Sequence, residues 1–125
     1  MYKRQNLGTL ISQKFVKPKT FIVTDNNISV HWLEQTIESL SEQGISPKVL
    51  EVPAGENTKS FINLEKIIDQ LLESKVDRDS LLIALGGGVI GDLAGFAGAV
   101  TLRGIKVVQV PVSYTHLTLP TIYSV

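Results

Sequence analysis

The chain has 125 residues, enough for one domain, and 43% of them are hydrophobic, as in an ordinary globular protein. Its 12 basic and 12 acidic residues cancel, so charge indicates neither a nucleic-acid partner nor an anionic membrane. The absence of cysteine excludes a disulfide framework and a thiolate metal site, and it fits a cytoplasmic protein.

Both ends of the chain resemble translated sequencing adapter. Residues 1–5 (MYKRQ) match one strand of a transposase mosaic end, and residues 112–117 (VSYTHL) match its reverse complement. We therefore expect residues 1–5 and 112–125 to be non-native and residues 6–111 to be the native part. The alternative for the C-terminal segment is a genuine β segment, because its Tyr, Thr, Ile and Val residues favour strands. The element signals do not separate these two interpretations.

Apolar runs alternate with amphipathic stretches along residues 20–110. Thr20–Thr24 is a β-branched run that predicts the first strand, and residues 25–27 (DNN) follow as a turn and helix cap. A helix is predicted over residues 28–43, with Gly44 at the position of a C-terminal cap. The later predicted elements are a strand at 48–52, a helix at 58–75, a strand at 81–85, a small-residue helix at 93–99 and a strand at 105–110.

This alternation predicts an α/β fold, a Rossmann-like parallel sheet with helices on both faces. Ligands of such sheets bind at the carboxyl ends of the strands. Asp25, the loop at residues 53–59 and the loop at residues 86–92 each follow a strand. We therefore expect these three segments to share one edge of the sheet.

The most informative segment is residues 81–92 (LLIALGGGVIGD), in which an apolar strand runs into three consecutive glycines. The glycines let the backbone turn with φ > 0. The N-terminus of the following helix then offers unpaired N–H groups and a positive dipole end, which suit a phosphate or pyrophosphate.

Two other interpretations of this segment fit the sequence less well. Gly86, Gly88 and Gly91 satisfy G-x-G-x-x-G, but residues 102–111 lack the acidic residue of the usual dinucleotide signature. A transmembrane helix over residues 81–102 would carry a single charge, Asp92, but the glycines near its middle would weaken it.

With these motifs in place, the chain resembles the 3-dehydroquinate synthase family. Three blocks carry the resemblance: residues 23–25 (VTD), residues 53–60 (PAGENTKS), and residues 84–93 (ALGGGVIGDL) continuing to Arg103-Gly104 and residues 109–111 (QVP). The resemblance covers residues 21–111, roughly the NAD-binding half of the family's N-terminal domain. It implies a truncated βαβαβαβ fragment without the C-terminal metal and substrate domain.

The family implies NAD as cofactor and a role for each matching residue. Asp25 would accept hydrogen bonds from ribose hydroxyls, and Asp92 would lie near the nicotinamide. The remaining cofactor residues would be the nucleotide contacts Glu56 and Lys59 and the pyrophosphate contacts Gly86, Gly87 and Gly88. The structural alternatives are a helix N-cap for Asp25, a solvated helical turn for Glu56 and Lys59, a plain turn for the glycines and a helix-terminal charge for Asp92.

Arg103 resembles the arginine that reaches the acidic groups of the substrate across the family's dimer interface, where a planar guanidinium suits such groups. Its alternative is a charge at a helix end without a ligand. The full-length parent is therefore expected to be a homodimer in the cytoplasm that acts on a small molecule.

The chemistry that the resemblance implies is the second step of the shikimate pathway. A carbon–oxygen lyase converts 3-deoxy-arabino-heptulosonate 7-phosphate to 3-dehydroquinate plus phosphate, with transient oxidation by NAD. The family's divalent metal, zinc or cobalt, is held by a glutamate and two histidines in the C-terminal domain. We therefore expect no catalytic or metal-ligating residue in this fragment, and no turnover by it. The alternatives are a related sugar-phosphate cyclase, a metal-dependent alcohol or glycerol dehydrogenase, and a non-catalytic NAD-binding module.

Overall fold

The computed structural model describes residues 11, 18–26, 32–53, 60–112 and 121–124. The strands are β1 (Thr20–Asp25), β2 (Lys48–Val52), β3 (Leu81–Gly86), β4 (Lys106–Pro111) and β5 (Thr121–Ser124). The helices are α1 (Glu34–Ser41), α2 (Phe61–Glu73) and α3 (Gly88–Val100), and a short 3₁₀ turn, Thr101–Arg103, follows α3. The order of elements through β4 is the predicted βαβαβαβ.

One sheet contains all five strands, in the order β2-β1-β3-β4-β5. The first four strands are parallel, and β5 pairs antiparallel with β4. The predicted α/β parallel sheet is confirmed. β5 lies within residues 112–125, where a strand fits both interpretations of that segment, so its non-native origin stays a prediction.

Helices cover both faces of the sheet, and successive side chains of a strand pack on opposite faces. Every residue of β3 is buried, which is why its sequence reads as a continuous apolar run. On one face, strand residues such as Phe21, Leu82 and Val107 pack in a cluster with residues of α2 and α3. On the other face, residues such as Ile22 and Ile83 pack in a cluster with α1. Helices on both faces were predicted and are present.

A glycine ends α1 as the sequence predicts. Gly44 has φ +77°, a conformation that favours glycine. Its N–H donates to the Ser41 carbonyl at 2.9 Å, and the Ile45 N–H donates to the Leu40 carbonyl at 3.0 Å. These two bonds form a Schellman motif, whose apolar contact is made by buried Leu40 and Ile45.

The prediction of positive φ at the three consecutive glycines is wrong. Gly87 has φ −86° and ψ −163°, and among the described glycines only Gly44 and Gly104 have positive φ. One extended residue between β3 and α3 redirects the chain, and the helix begins at Gly88 rather than at residue 93. The transmembrane interpretation is also wrong, since residues 81–86 form a strand.

Candidate functional site

The glycine turn, Gly86–Gly88, lies at the carboxyl edge of the sheet. β3 and β4 end side by side, with Gly86 opposite Pro111. A cavity of about 150 Å³, here called the glycine cavity, opens at this point. Its lining residues are Ala84, Gly86, Gly87, Gly88, Gly91, Asp92, Gln109 and Pro111. The cavity is where ligands of parallel α/β sheets bind.

The N-terminus of α3 faces the carboxyl edge without a side-chain cap. Its N-cap residue is Gly87, which has no side chain to accept a hydrogen bond from the first turn. The first helical bond runs from the Gly91 N–H to the Gly87 carbonyl at 3.0 Å. The N–H groups of the three preceding residues therefore have no acceptor inside the helix, and the helix dipole makes this end attractive to an anion.

Gly87 and Gly88 leave open space that the fold does not use. A Cβ atom added at either position would meet no packed neighbour within 4 Å among the described residues. At Gly86, by contrast, a Cβ would lie 2.9 Å from the side chain of Ile90. Neither positive φ nor packing therefore requires glycine at residues 87 and 88. Both positions leave open space next to the N-terminus of α3 among the described residues.

Asp92 is exposed at the fifth position of α3 and lines two cavities. One is the glycine cavity, and the other is an apolar cavity of about 350 Å³ between α2 and α3. Phe61 and Phe96 line the apolar cavity and are 83% and 53% exposed. This second cavity was not predicted from the sequence. Its only sequence signal is an aromatic residue outside the buried stripe of each helix.

Gln109 is a cavity residue that the sequence analysis did not assign to the site. Its Nε2 donates to the Gly91 carbonyl at 3.3 Å and so links β4 to the first turn of α3. The signal that was available is an amide side chain in a strand that is otherwise apolar from Val107 to Val110.

Asp25 shares the edge of the glycine turn. It ends β1 half-buried, opposite Val52 of β2, while the preceding Thr24 is opposite Leu85 of β3. Thr24 is fully buried, and its hydroxyl has no hydrogen-bond partner among the described residues. Two other candidates, Glu56 and Lys59, lie outside the described residues, and so do residues 27–31, which the N-cap interpretation of Asp25 requires.

Arg103 lies at the other end of α3, where β4 begins. A helix of 13 residues is about 20 Å long, so Arg103 is remote from the glycine turn of its own chain. The backbone there is left-handed at three successive residues, with φ of 49° at Leu102, 66° at Arg103 and 113° at Gly104. Left-handed backbone costs about 1–2 kcal/mol for each non-glycine residue. The structure does not bring Arg103 together with the other candidates, so its role across a dimer interface stays a prediction.

The described part of the chain offers no group of three His, Cys, Asp or Glu side chains able to hold a metal ion. Within the same residues, no helix combines the length and apolar character that crossing a membrane requires.

Solved structures resemble the chain in fold. A 2-deoxy-scyllo-inosose synthase complexed with carbaglucose-6-phosphate, NAD+ and Co2+ superposes with a TM-score of 0.73 and 21% identity, over 84% of this chain and 29% of that one. An iron-containing alcohol dehydrogenase superposes with a TM-score of 0.71 and 21% identity, over 87% of this chain and 34% of that one. At such identities the likeness shows the fold alone.

Curated relatives resemble the chain in sequence. The 3-dehydroquinate synthase of Bradyrhizobium diazoefficiens is 48% identical over 108 residues, which are 86% of this chain and 28% of that protein. The enzyme of the same name from Bradyrhizobium sp. strain BTAi1 is 45% identical over 108 residues, with the same coverage. The chain thus spans about 28% of the length of these relatives. The family model described as 3-dehydroquinate synthase N-terminal matches residues 49–118, more than half of the chain. The chain therefore belongs to the 3-dehydroquinate synthase family.

Proposed function

We propose that this chain is the NAD-binding part of a 3-dehydroquinate synthase, the lyase that converts 3-deoxy-arabino-heptulosonate 7-phosphate to 3-dehydroquinate and phosphate. Relatives with that name support the proposal at 45% and 48% identity. The structural observation that carries it is the glycine turn. Gly87 and Gly88 are exposed, have no torsional or packing need for glycine among the described residues, and form the N-cap and first residue of a helix that has no side-chain cap.

In this proposal the glycine turn holds the pyrophosphate of NAD. Bare backbone at Gly87 and Gly88 lets phosphate oxygens approach the first N–H groups of α3, and the positive end of the helix dipole favours their charge. Asp25, at the same edge, would accept hydrogen bonds from ribose hydroxyls. Asp92 would lie on the nicotinamide side, because it borders the glycine cavity one helical turn beyond Gly88. Glu56 and Lys59 stay predicted nucleotide contacts.

The chemistry that NAD+ supplies when bound is reversible hydride removal from a substrate carbon, which acidifies the neighbouring carbon so that phosphate can leave. In this proposal the part of the chain in this chemistry is to bind and orient the cofactor through the glycine turn and Asp25. We assign the zinc or cobalt site to another part of the full-length enzyme. That enzyme is proposed to be a cytoplasmic homodimer in which Arg103 reaches the acidic groups of the substrate from the partner subunit. The chain by itself is expected to bind NAD+ without turnover.

The related cyclase and dehydrogenase functions are less well supported than dehydroquinate synthesis. The solved structures of those classes that resemble the chain are 21% identical to it. At this level the likeness shows a shared fold alone, whereas the curated synthases share nearly half of the aligned residues with the chain.

The experiment that tests the proposal is isothermal titration of NAD+ into the chain and into two variants of graded size, Gly87→Ala and Gly87→Val. We expect affinity to fall with side-chain size, by about tenfold or more for valine, because the side chain occupies the space of the pyrophosphate. Stability should change by less than about 1 kcal/mol in both variants, since the new atoms meet no packed neighbour. Wild-type affinity in Gly87→Val would remove the pyrophosphate role, and a wild-type chain that binds no NAD+ would contradict the proposal.

A further inference from the structure

A side-chain amide joins β4 to the N-terminal turn of α3. Gln109 lies on the same face of β4 as Val107, which packs in the core cluster shared with α3. It is half-buried, and its Nε2 donates to the Gly91 carbonyl at 3.3 Å. The strand itself is held in place by β3, with Gln109 paired opposite Ala84. The Gln109 side chain therefore extends from a strand whose position is set by the sheet and contacts the helix.

Gly91 is matched to this amide. A Cβ atom on Gly91 would lie 2.9 Å from Nε2 of Gln109, closer than real side chains pack. The amide thus occupies the space that a side chain at residue 91 would need. Gly91 also closes the first hydrogen bond of α3, from its N–H to the Gly87 carbonyl at 3.0 Å. One residue therefore contacts both the sheet, through Gln109, and the glycine turn, through Gly87.

We propose that Gln109 is a positioning residue for the pyrophosphate site, an inference that rests on the proposed function. The amide donates a hydrogen bond to the Gly91 carbonyl, and the Gly91 N–H donates to the Gly87 carbonyl. These two bonds keep the N–H groups at the start of α3 in a fixed place relative to the sheet edge. Donors that are already oriented lose less freedom when a ligand binds, and this preorganisation raises affinity. Gln109 acts through Gly91, in addition to lining the glycine cavity.

The test compares Gln109→Met with Thr101→Val in the full 125-residue chain. Methionine keeps the length of glutamine but cannot donate to Gly91. Thr101→Val is the matched control, because it removes the 2.7 Å hydrogen bond from the Thr101 hydroxyl to the Ala97 carbonyl at the far end of the same helix. We expect NAD+ affinity to fall by about three- to tenfold in Gln109→Met, the range that one hydrogen bond supplies. Thr101→Val should keep wild-type affinity while its thermal midpoint falls.

A double-mutant cycle with Gly91→Ala separates positioning from general stability. Alanine at residue 91 displaces the amide, so it should weaken NAD+ binding to a similar extent. If both changes act through one contact, the double variant loses no more affinity than the weaker-binding single variant. The inference would be overturned by additive losses in the double variant, by wild-type affinity in Gln109→Met, or by a loss in Thr101→Val equal to that in Gln109→Met. In each of these cases, NAD+ binding by the wild-type chain would still support the proposed function. Absence of NAD+ binding by the wild-type chain would overturn both.

Discussion

α2 and α3 are two helices of 13 residues that follow strands and pack on the same face of the sheet, yet they begin differently. α2 has Ser60 as its N-cap, and the Ser60 side chain accepts a hydrogen bond from the Asn63 N–H at 3.3 Å. α3 has Gly87, which carries no side chain. A side chain of the protein satisfies part of the first turn of α2, whereas the N-cap residue of α3 offers no such acceptor.

The bodies of the two helices also differ. α2 packs through large side chains such as Leu64, Ile67 and Leu71, whereas α3 also brings the small residues Ala94 and Ala97 into the same cluster. Gly98 of α3 approaches β4 so closely that a Cβ atom there would lie 2.5 Å from Cγ2 of Val107. The glycines of α3 and of its N-cap therefore serve two purposes, since Gly98 permits close packing and Gly87 leaves open space.

The largest effect is expected from Gly98→Leu. The added side chain has no room against Val107, and overpacking of this kind costs about 3 kcal/mol. Urea denaturation measures the change in the free energy of unfolding. The matched control is Val100→Leu, which enlarges a half-exposed residue of the same helix and should shift stability by less than about 0.5 kcal/mol. Equal stability of the two variants would mean that α3 does not lie against β4 as described.

A smaller effect is expected at the N-cap of α2. Ser60→Ala should lower the free energy of unfolding by about 1 kcal/mol, because the Asn63 N–H loses its acceptor. Ser60→Gly gives α2 the same N-cap residue as α3. It should lower the free energy of unfolding by only a few tenths of about 1 kcal/mol, since water reaches the N–H groups of the bare turn. Thermal unfolding measures both, with Ser60→Thr as a control that keeps a hydroxyl. An unchanged Ser60→Ala would contradict the difference between the two helices.

The sequence predicts the sheet well because of the way a parallel sheet is buried. Strands covered on both faces are short apolar runs, and β2 lies at the predicted residues 48–52. Gly44 is equally predictable, because a left-handed C-terminal cap favours glycine whatever the surrounding fold. The shared edge of Asp25 and the glycine turn follows from chain order alone.

Contacts made by tertiary packing could not be predicted from sequence. The hydrogen bond from Gln109 to Gly91 joins residues 18 positions apart, and it depends on the register of β4 and on the depth of α3. The sign of φ at Gly87 was predicted wrongly because glycine permits either sign and the turn geometry decides between them. The left-handed Leu102 and Arg103 had no sequence signal, since neither residue type favours that conformation.

The smallest change in stability, and the sharpest test of the comparison, is expected from Gly87→Ser. The backbone at residue 87 is already extended, with φ −86° and ψ −163°, so a serine hydroxyl there can accept a hydrogen bond from the N–H two or three residues on, as Ser60 does in α2. We expect stability to rise by a few tenths of about 1 kcal/mol, measured by thermal unfolding, with Gly87→Ala as the control that adds a side chain without an acceptor. The same hydroxyl competes with the pyrophosphate for the N–H groups, so NAD+ should bind more weakly to Gly87→Ser than to Gly87→Ala. If serine raises stability and leaves NAD+ affinity equal to that of the alanine variant, the free N–H groups of α3 do not hold the ligand, and the missing cap of α3 has another cause.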